Sequence, residues 1–293
     1  MRIRSATPLQ RVLGAAAVTW FYLYKAVLPV DLAFVYPKWA IVVENWMWWS
    51  GLLAALIVTA VLWLKRNTKI GRIGFVGWMF FIIALGPVMG LSDTGFMKYS
   101  LVADHYQHIA IIAVVVLAAV ALSQIRDSKV QIGVVAVIAL ALSAKAVQQA
   151  MIYRDPVTLY RAAVAKNPQG WMLHGNLADE LLKAGDVSGA IAEFRETLAL
   201  NPQSDDAHYF YGLALEKTGD LQGAIAQFNE VLKLPVEQYK LEAHHEMAAI
   251  YVGLGNKEEA LAHENQVQAI AKEHGLQQVA VQSEQWMKMV GLK

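Results

Sequence analysis

The sequence predicts an all-α protein in two parts: a transmembrane bundle of about five spans, then an α-solenoid of stacked helix pairs. Three observations carry this prediction. Long apolar runs crowd the first half, the charge balance reverses near residue 150, and the second half repeats itself every 34 residues. Over all 293 residues 56% are apolar and 17% are charged, against a charged share of about 25% in ordinary soluble chains. Residues 1–154 hold 14 Lys and Arg against 5 Asp and Glu, whereas residues 155–293 hold 11 against 19. An acidic second half excludes nucleic acid as its ligand, because phosphate recognition relies on clustered Lys and Arg. With no cysteine in the chain there is neither a disulfide scaffold nor a thiolate metal site. No cofactor or metal is called for.

The five runs lie near 12–28, 47–64, 73–91, 108–125 and 130–148, each close to the roughly 17–25 residues that cross a bilayer as a helix. The first carries Lys25, stops at Pro29 and lacks a small-residue cleavage site, so it reads as an uncleaved anchor, either crossing or partly re-entrant. Orientation follows from basic residues in the connecting segments. Arg2, Arg4, Arg11, Lys65, Arg66, Lys69, Arg72, Arg126 and Lys129 would share the cytoplasmic side, against only Lys38 and Lys98 on the other. Five spans then put the N-terminus inside and everything after residue 150 outside, in the periplasm if the membrane is a bacterial inner membrane. Tyr36, Trp39, Trp46, Trp48 and Trp49 fall on the outer side, where amphipathic rings settle at the interface.

In the second half, Gly185 and Gly219, Ala190 and Ala224, Phe194 and Phe228, and Pro168 and Pro202 are each 34 apart, and Gly255 and Ala260 continue the pattern with a two-residue shift. Small residues, an aromatic and a closing proline at a 34-residue period are the tetratricopeptide signature. The predicted order is a lone second helix at 155–168, repeats at 171–204, 205–236 and 241–274, and a capping helix at 276–290. Ala178 and Ala190 let the helices of the first pair approach closely, as Gly212 and Ala224 do in the second. His174, His208 and His244 recur at one repeat position. Equivalent residues of stacked helices lie about 10 Å apart, too far to share one metal ion, so these side chains are read as packing.

Three stretches strongly resemble a known family: WFYLYKAVLPVDLAFVYPKW at 20–39, GFMKYSLVADHYQHIA at 95–110 and YRDPVTLYRAAVAKNPQGWMLHGNLA at 153–178. They are similar to bacterial multispanning membrane proteins with C-terminal tetratricopeptide repeats, themselves similar to the transmembrane and tetratricopeptide-containing O-mannosyltransferases. The resemblance implies a glycosyltransferase-C fold and a polyprenyl-phosphate-linked sugar donor used on the outer face. It also implies further spans and a catalytic acidic loop upstream of the segment that matches here, so the chain corresponds to the C-terminal half of such an enzyme. No catalytic residue is assigned within it.

Asp104, His105, Tyr106, Gln107 and His108 stand directly before an apolar run. Asp104 with Gln107 three residues on has the spacing of a capping box. The alternative has His105, Tyr106 and His108, together with Lys25, holding the phosphate of a lipid-linked sugar, although neutral histidine binds phosphate less strongly than arginine. Lys25 is equally well read as snorkelling to the interface. Two functions follow from different classes: a membrane-anchored scaffold whose repeat groove binds a protein or peptide, or part of a glycosyltransferase, complete or complemented by another chain. The repeats favour the scaffold, because a repeat array is a binding surface and by itself specifies no reaction.

Overall fold

The computed structural model describes residues 5–293; Arg2 and Arg4, counted above for orientation, lie outside them. Among the described residues every regular element is helical, and the chain divides into two compact units, residues up to Asn167 and Pro168–Lys293.

The first unit contains α1 (Pro8–Val27), α2 (Trp46–Leu64), α3 (Lys69–Leu85), α4 (Ile111–Leu122), α5 (Ser128–Ile152) and α6 (Pro156–Lys166). Three stretches are long and apolar enough to cross a membrane: α2, α3 with its 3-10 extension to Val88, and α5. No residue of α2 or α5 is buried in the protein, as suits helices that face lipid. The run expected at 108–125 forms a 12-residue helix, about 18 Å of rise. Its Leu117 lies against Gly77 of α3, where an added Cβ would meet it at 3.1 Å.

For the first run the sequence leaves open a crossing and a partly re-entrant helix. α1 is 20 residues long, opened by a capping box between Thr7 and Gln10 with Pro8 at its first position. Segments 30–41 and 91–104, both expected on the outer side, touch it along its whole length. Near its start the Gln10 amide donates to the Ile41 carbonyl at 3.0 Å, and Arg11 is bidentate to Asp93 at 2.8 and 3.1 Å. Towards its end the Tyr22 hydroxyl bonds both backbone groups of Ala103, and Lys25 reaches Val30 and Asp31. Arg11 and Lys25 are separated by about 21 Å of helix. Segments 30–41 and 91–104, which the five-span expectation puts on one side, thus contact α1 near both of its ends. Its core faces Trp78, Phe81 and Leu85 of α3, with Leu101 and Val102 completing the layer.

The second unit stacks α7 (Trp171–Lys183) on α8 (Val187–Leu200), α9 (Asp205–Lys217) on α10 (Leu221–Lys233), and α11 (Lys240–Gly253) on α12 (Lys257–Glu273), followed by α13 (Gln277–Met289). Each pair turns on a glycine in the left-handed region, Gly185 at φ +85°, Gly219 at +84° and Gly255 at +77°, which ends the first helix without a Cβ clash. Asp186, Asp220 and Asn256 then cap the second helix with a side-chain oxygen. Ala178, Ala190, Ala224, Phe228 and Ala260 are fully buried and Phe194 nearly so. At Gly212 an added Cβ would lie 2.6 Å from the Phe228 ring, so the helix approach requires glycine there. The repeat histidines each bridge a pair of helices: His174 to Glu193 at 2.6 Å, His208 to Gln227 at 2.8 Å, and His244 to His263 at 2.9 Å. Each ring is therefore engaged within its own repeat.

Candidate functional site

Two side-chain assemblies stand out, one in each unit. In the first unit, residues of the three stretches 20–39, 95–110 and 153–167 converge. Lys25 is 5% exposed; its ammonium donates to the Val30 carbonyl at 2.5 Å and the Asp31 carbonyl at 3.1 Å, and lies 5.5–5.6 Å from the ring centres of Phe21, Tyr24 and Tyr36. The lysine does not snorkel: two carbonyls and three ring faces replace its water. The backbone it holds is unusual, with Asp31 at φ +50°, a conformation that short polar residues tolerate best.

Asp104 is not a helix cap. Residues 104–107 form a 3-10 turn whose preceding residue is Ala103, with no side-chain cap. The Asp104 carboxylate instead accepts from the Tyr36 hydroxyl at 2.8 Å. Burial pushes its carboxyl above the usual range, opposed by the Tyr36 bond and by the charges of Lys25 and Lys166. Tyr36 is accordingly a buried partner rather than an interfacial ring, and burial together with Asp104 raises its hydroxyl. From α6, Lys166 donates to the Leu32 carbonyl and Tyr160 packs edge-on to Phe34 at 5.9 Å. The remaining residues of the predicted cluster diverge. His105 and His108 are exposed, with His105 edge-on to Phe96 at 6.0 Å; Tyr106 is half-buried and Gln107 buried. Lys25 and Asp104 thus share one assembly, while the two histidines turn outward. In the sequence Tyr36 reads only as an interfacial ring, and Lys166 is not singled out; their common sign is membership of the resembling stretches.

In the second unit, carboxylates and aromatic rings line the first helices of successive repeats. Asp179 of α7 is pushed up to about 6 by burial, with Asp206 and Glu180 adding repulsion. On α11, Glu246 is raised by burial and by Glu216. Between them, Tyr209 stacks on Tyr239 at 5.0 Å, and Phe210 lies 5.8 Å from the same ring. Carboxylates that raise one another's affinity for protons form a surface that attracts cations. None of these residues was singled out in the sequence, because their proximity depends on stacking.

Comparison with known proteins bears on this second unit. The tetratricopeptide repeat family model matches residues 176–235. No curated protein matches the chain. Among solved structures, a crystal structure of MamA aligns at 17% identity with a TM-score of 0.36, over 45% of this chain and 69% of that one. A crystal structure of MamA protein aligns at the same identity and TM-score, over 44% and 77%. The family match alone identifies residues 176–235, which span most of the first two helix pairs, as tetratricopeptide repeat sequence.

Proposed function

We propose that the second unit is a protein-binding module presented at the outer face of a membrane, and that its ligand is a basic segment of a partner protein. The observation that carries this reading is the strip of half-buried carboxylates and rings on α7, α9 and α11. Repeat arrays use such surfaces for extended ligands, and opposite charge steers association. The test uses the detergent-solubilised full chain and labelled peptides of matched length, one basic and one acidic. The basic peptide binds with salt-dependent affinity and is weakened by Asp179→Asn and by Glu246→Gln. Equal binding of the acidic peptide ends the proposal.

For orientation, α2, α3, α4 with its preceding turn, and α5 serve as four crossings, with α1 lying on the outer side. Lys65, Arg66, Lys69, Arg72, Arg126 and Lys129 then face the cytoplasm, while the N-terminus and the repeats share the periplasmic side of a bacterial inner membrane. This differs from the five-span expectation in α1, which does not cross, and in the N-terminus, which moves to the outer side. The basis is the contact of α1 with segments 30–41 and 91–104 at both ends, with Lys166 of α6 reaching the same segment. Single cysteines at Ser5, Ser92 and Ser204 label with an impermeant thiol reagent in intact cells, and those at Thr68 and Ser128 do not. Protection at Ser5 returns α1 to the membrane.

A second reading rests on the convergence of the three O-mannosyltransferase-like stretches around Lys25, Tyr36 and Asp104. In that reading the chain is the C-terminal part of a glycosyltransferase-C-like protein O-glycosyltransferase, and Lys25, His105, Tyr106 and His108 serve a polyprenyl-phosphate-linked sugar. Because the Lys25 ammonium is occupied by carbonyls, it shapes the 30–36 segment, and lipid phosphate contact falls to the exposed His105 and His108. Retention of a labelled polyprenyl-phosphate sugar by the purified chain, lowered by His105→Ala, favours this reading. Retention unaffected by His105→Ala and His108→Ala removes it.

A further inference from the structure

Between α11, α12 and α13, where the last repeat meets its capping helix, lies a cavity of about 350 Å³. Glu264 of α12 is one of its lining residues, with a side chain 0% exposed. One carboxylate oxygen is held by His245 Nδ1 at 3.0 Å. The other has no hydrogen-bond partner, and neither does the Ser283 hydroxyl of α13, which also lines the cavity and is 4% exposed as a residue. Leaving a buried carboxylate oxygen and a buried hydroxyl without partners is costly. Phe194 and Phe228 occupy the equivalent position in the two earlier repeats, so helix stacking does not call for a carboxylate at Glu264. Val267, Val279 and Leu241 form apolar walls, Trp286 stands edge-on to His245 at 5.1 Å, and Glu242, Glu246 and Gln282 add polar groups to the lining.

We propose that this cavity receives the side-chain ammonium of a lysine on the partner segment; the proposal deepens the protein-binding reading and rests on it. An ammonium carries three donors and no acceptor, which suits the free Glu264 oxygen, the Ser283 hydroxyl and a carboxylate of the lining. The four-carbon stem fits the walls of Val267, Val279 and Leu241, and Trp286 offers a ring to the cation. Arginine fits less well. Its guanidinium is recognised best by both oxygens of a carboxylate in a planar fork, and His245 already holds one oxygen of Glu264. The strip on α7, α9 and α11 would draw in a basic segment, and this cavity would select lysine within it.

The test uses the detergent-solubilised full chain labelled with 5-fluorotryptophan, with the Trp286 resonance assigned by its loss in Trp286→Phe. N-acetyl-lysine methylamide shifts that resonance saturably, and N-acetyl-norleucine methylamide, which lacks only the amine, does not. Glu264→Gln preserves the shape of the site and weakens the lysine compound at least tenfold, and Ser283→Ala weakens it about threefold. If Glu264→Gln fails to fold, Ser283→Ala, which lies outside the strip, carries the comparison. Absence of a saturable shift, an equal shift with norleucine, or an affinity unchanged by the folded variants overturns the proposal. Basic peptides that bind the full chain independently of Glu264 and Ser283 leave the strip in place and discard the lysine cavity. Saturable binding of the lysine compound without any peptide binding does the reverse.

Discussion

Replacing Gly212 by alanine sets two opposing effects against each other, and the structure decides between them. Gly212 lies inside α9, so alanine removes backbone freedom from the unfolded chain and by itself stabilises by about 0.5–1 kcal/mol. The new Cβ, however, meets Phe228 at 2.6 Å from Cε1 and 2.9 Å from Cδ1 and Cζ, well inside the roughly 3.5–4 Å of a carbon–carbon contact. Phe228 is 0% exposed, and Tyr209, itself stacked on Tyr239, lies 5.8 Å from it, so the ring has no space into which to withdraw. Overpacking of that kind costs about 1–3 kcal/mol, leaving a net loss of about 0–2.5 kcal/mol, centred near 1 kcal/mol. At about 4 °C per kcal/mol for a unit of this size, Gly212→Ala lowers the melting temperature by about 5 °C. The control is Gly253→Ala at the end of α11, where an added Cβ meets nothing within 4 Å; there only the backbone effect operates, and the melting temperature rises. Both are read by far-UV circular dichroism on residues 168–293, a compact unit with its own core. A Gly212→Ala unit that melts as high as the parent, or higher, would show that α9 and α10 do not approach as described.

Other consequences are equally open to measurement. Ala190→Trp and Ala224→Trp force a large ring into fully buried helix contacts; either abolishes the cooperative melt of the repeat unit or lowers it further than Gly212→Ala does. The carboxyl of Asp179 is held up to about 6, so between its unfolded value near 4 and about pH 6 the folded state binds more protons, and stability falls as pH rises through that window. Allowing for partial exposure, Asp179→Asn recovers about 1 kcal/mol at pH 7 and flattens the profile; denaturant midpoints at pH 4 and pH 7 that shift equally in both proteins contradict this. Tyr36→Phe leaves Asp104 without its 2.8 Å donor and destabilises the first unit by about 1–3 kcal/mol. Thermal unfolding of the solubilised full chain, followed by tryptophan fluorescence, registers the loss, and an unchanged transition denies that bond a structural role.

The sequence by itself determined the helical class, the 34-residue period and the glycine turns of the second half. Those properties are local: a glycine that must adopt positive φ, an aspartate that caps the next helix, and small and aromatic residues at a fixed period all act within one helix pair, and the period repeats them. Apolar length alone likewise marked α2, α3 and α5 as long enough to cross a membrane, because the bilayer sets a minimum length independently of any partner. That logic does not decide α1, whose face is covered by segments 30–41 and 91–104, since hydropathy does not distinguish burial in lipid from burial in protein. Asp104 escaped it too, since a capping-box spacing is only an opportunity, and Tyr36, 68 residues away in sequence, competed for the carboxylate and won. Whether Lys25 reached water, whether the carboxylates of three helices joined into one strip, and whether Glu264 kept an unpaired oxygen beside Ser283 were decided only by the tertiary structure. Each depends on groups distant in sequence and close in space, and the energy of a charged group is set by what surrounds it rather than by its neighbours along the chain.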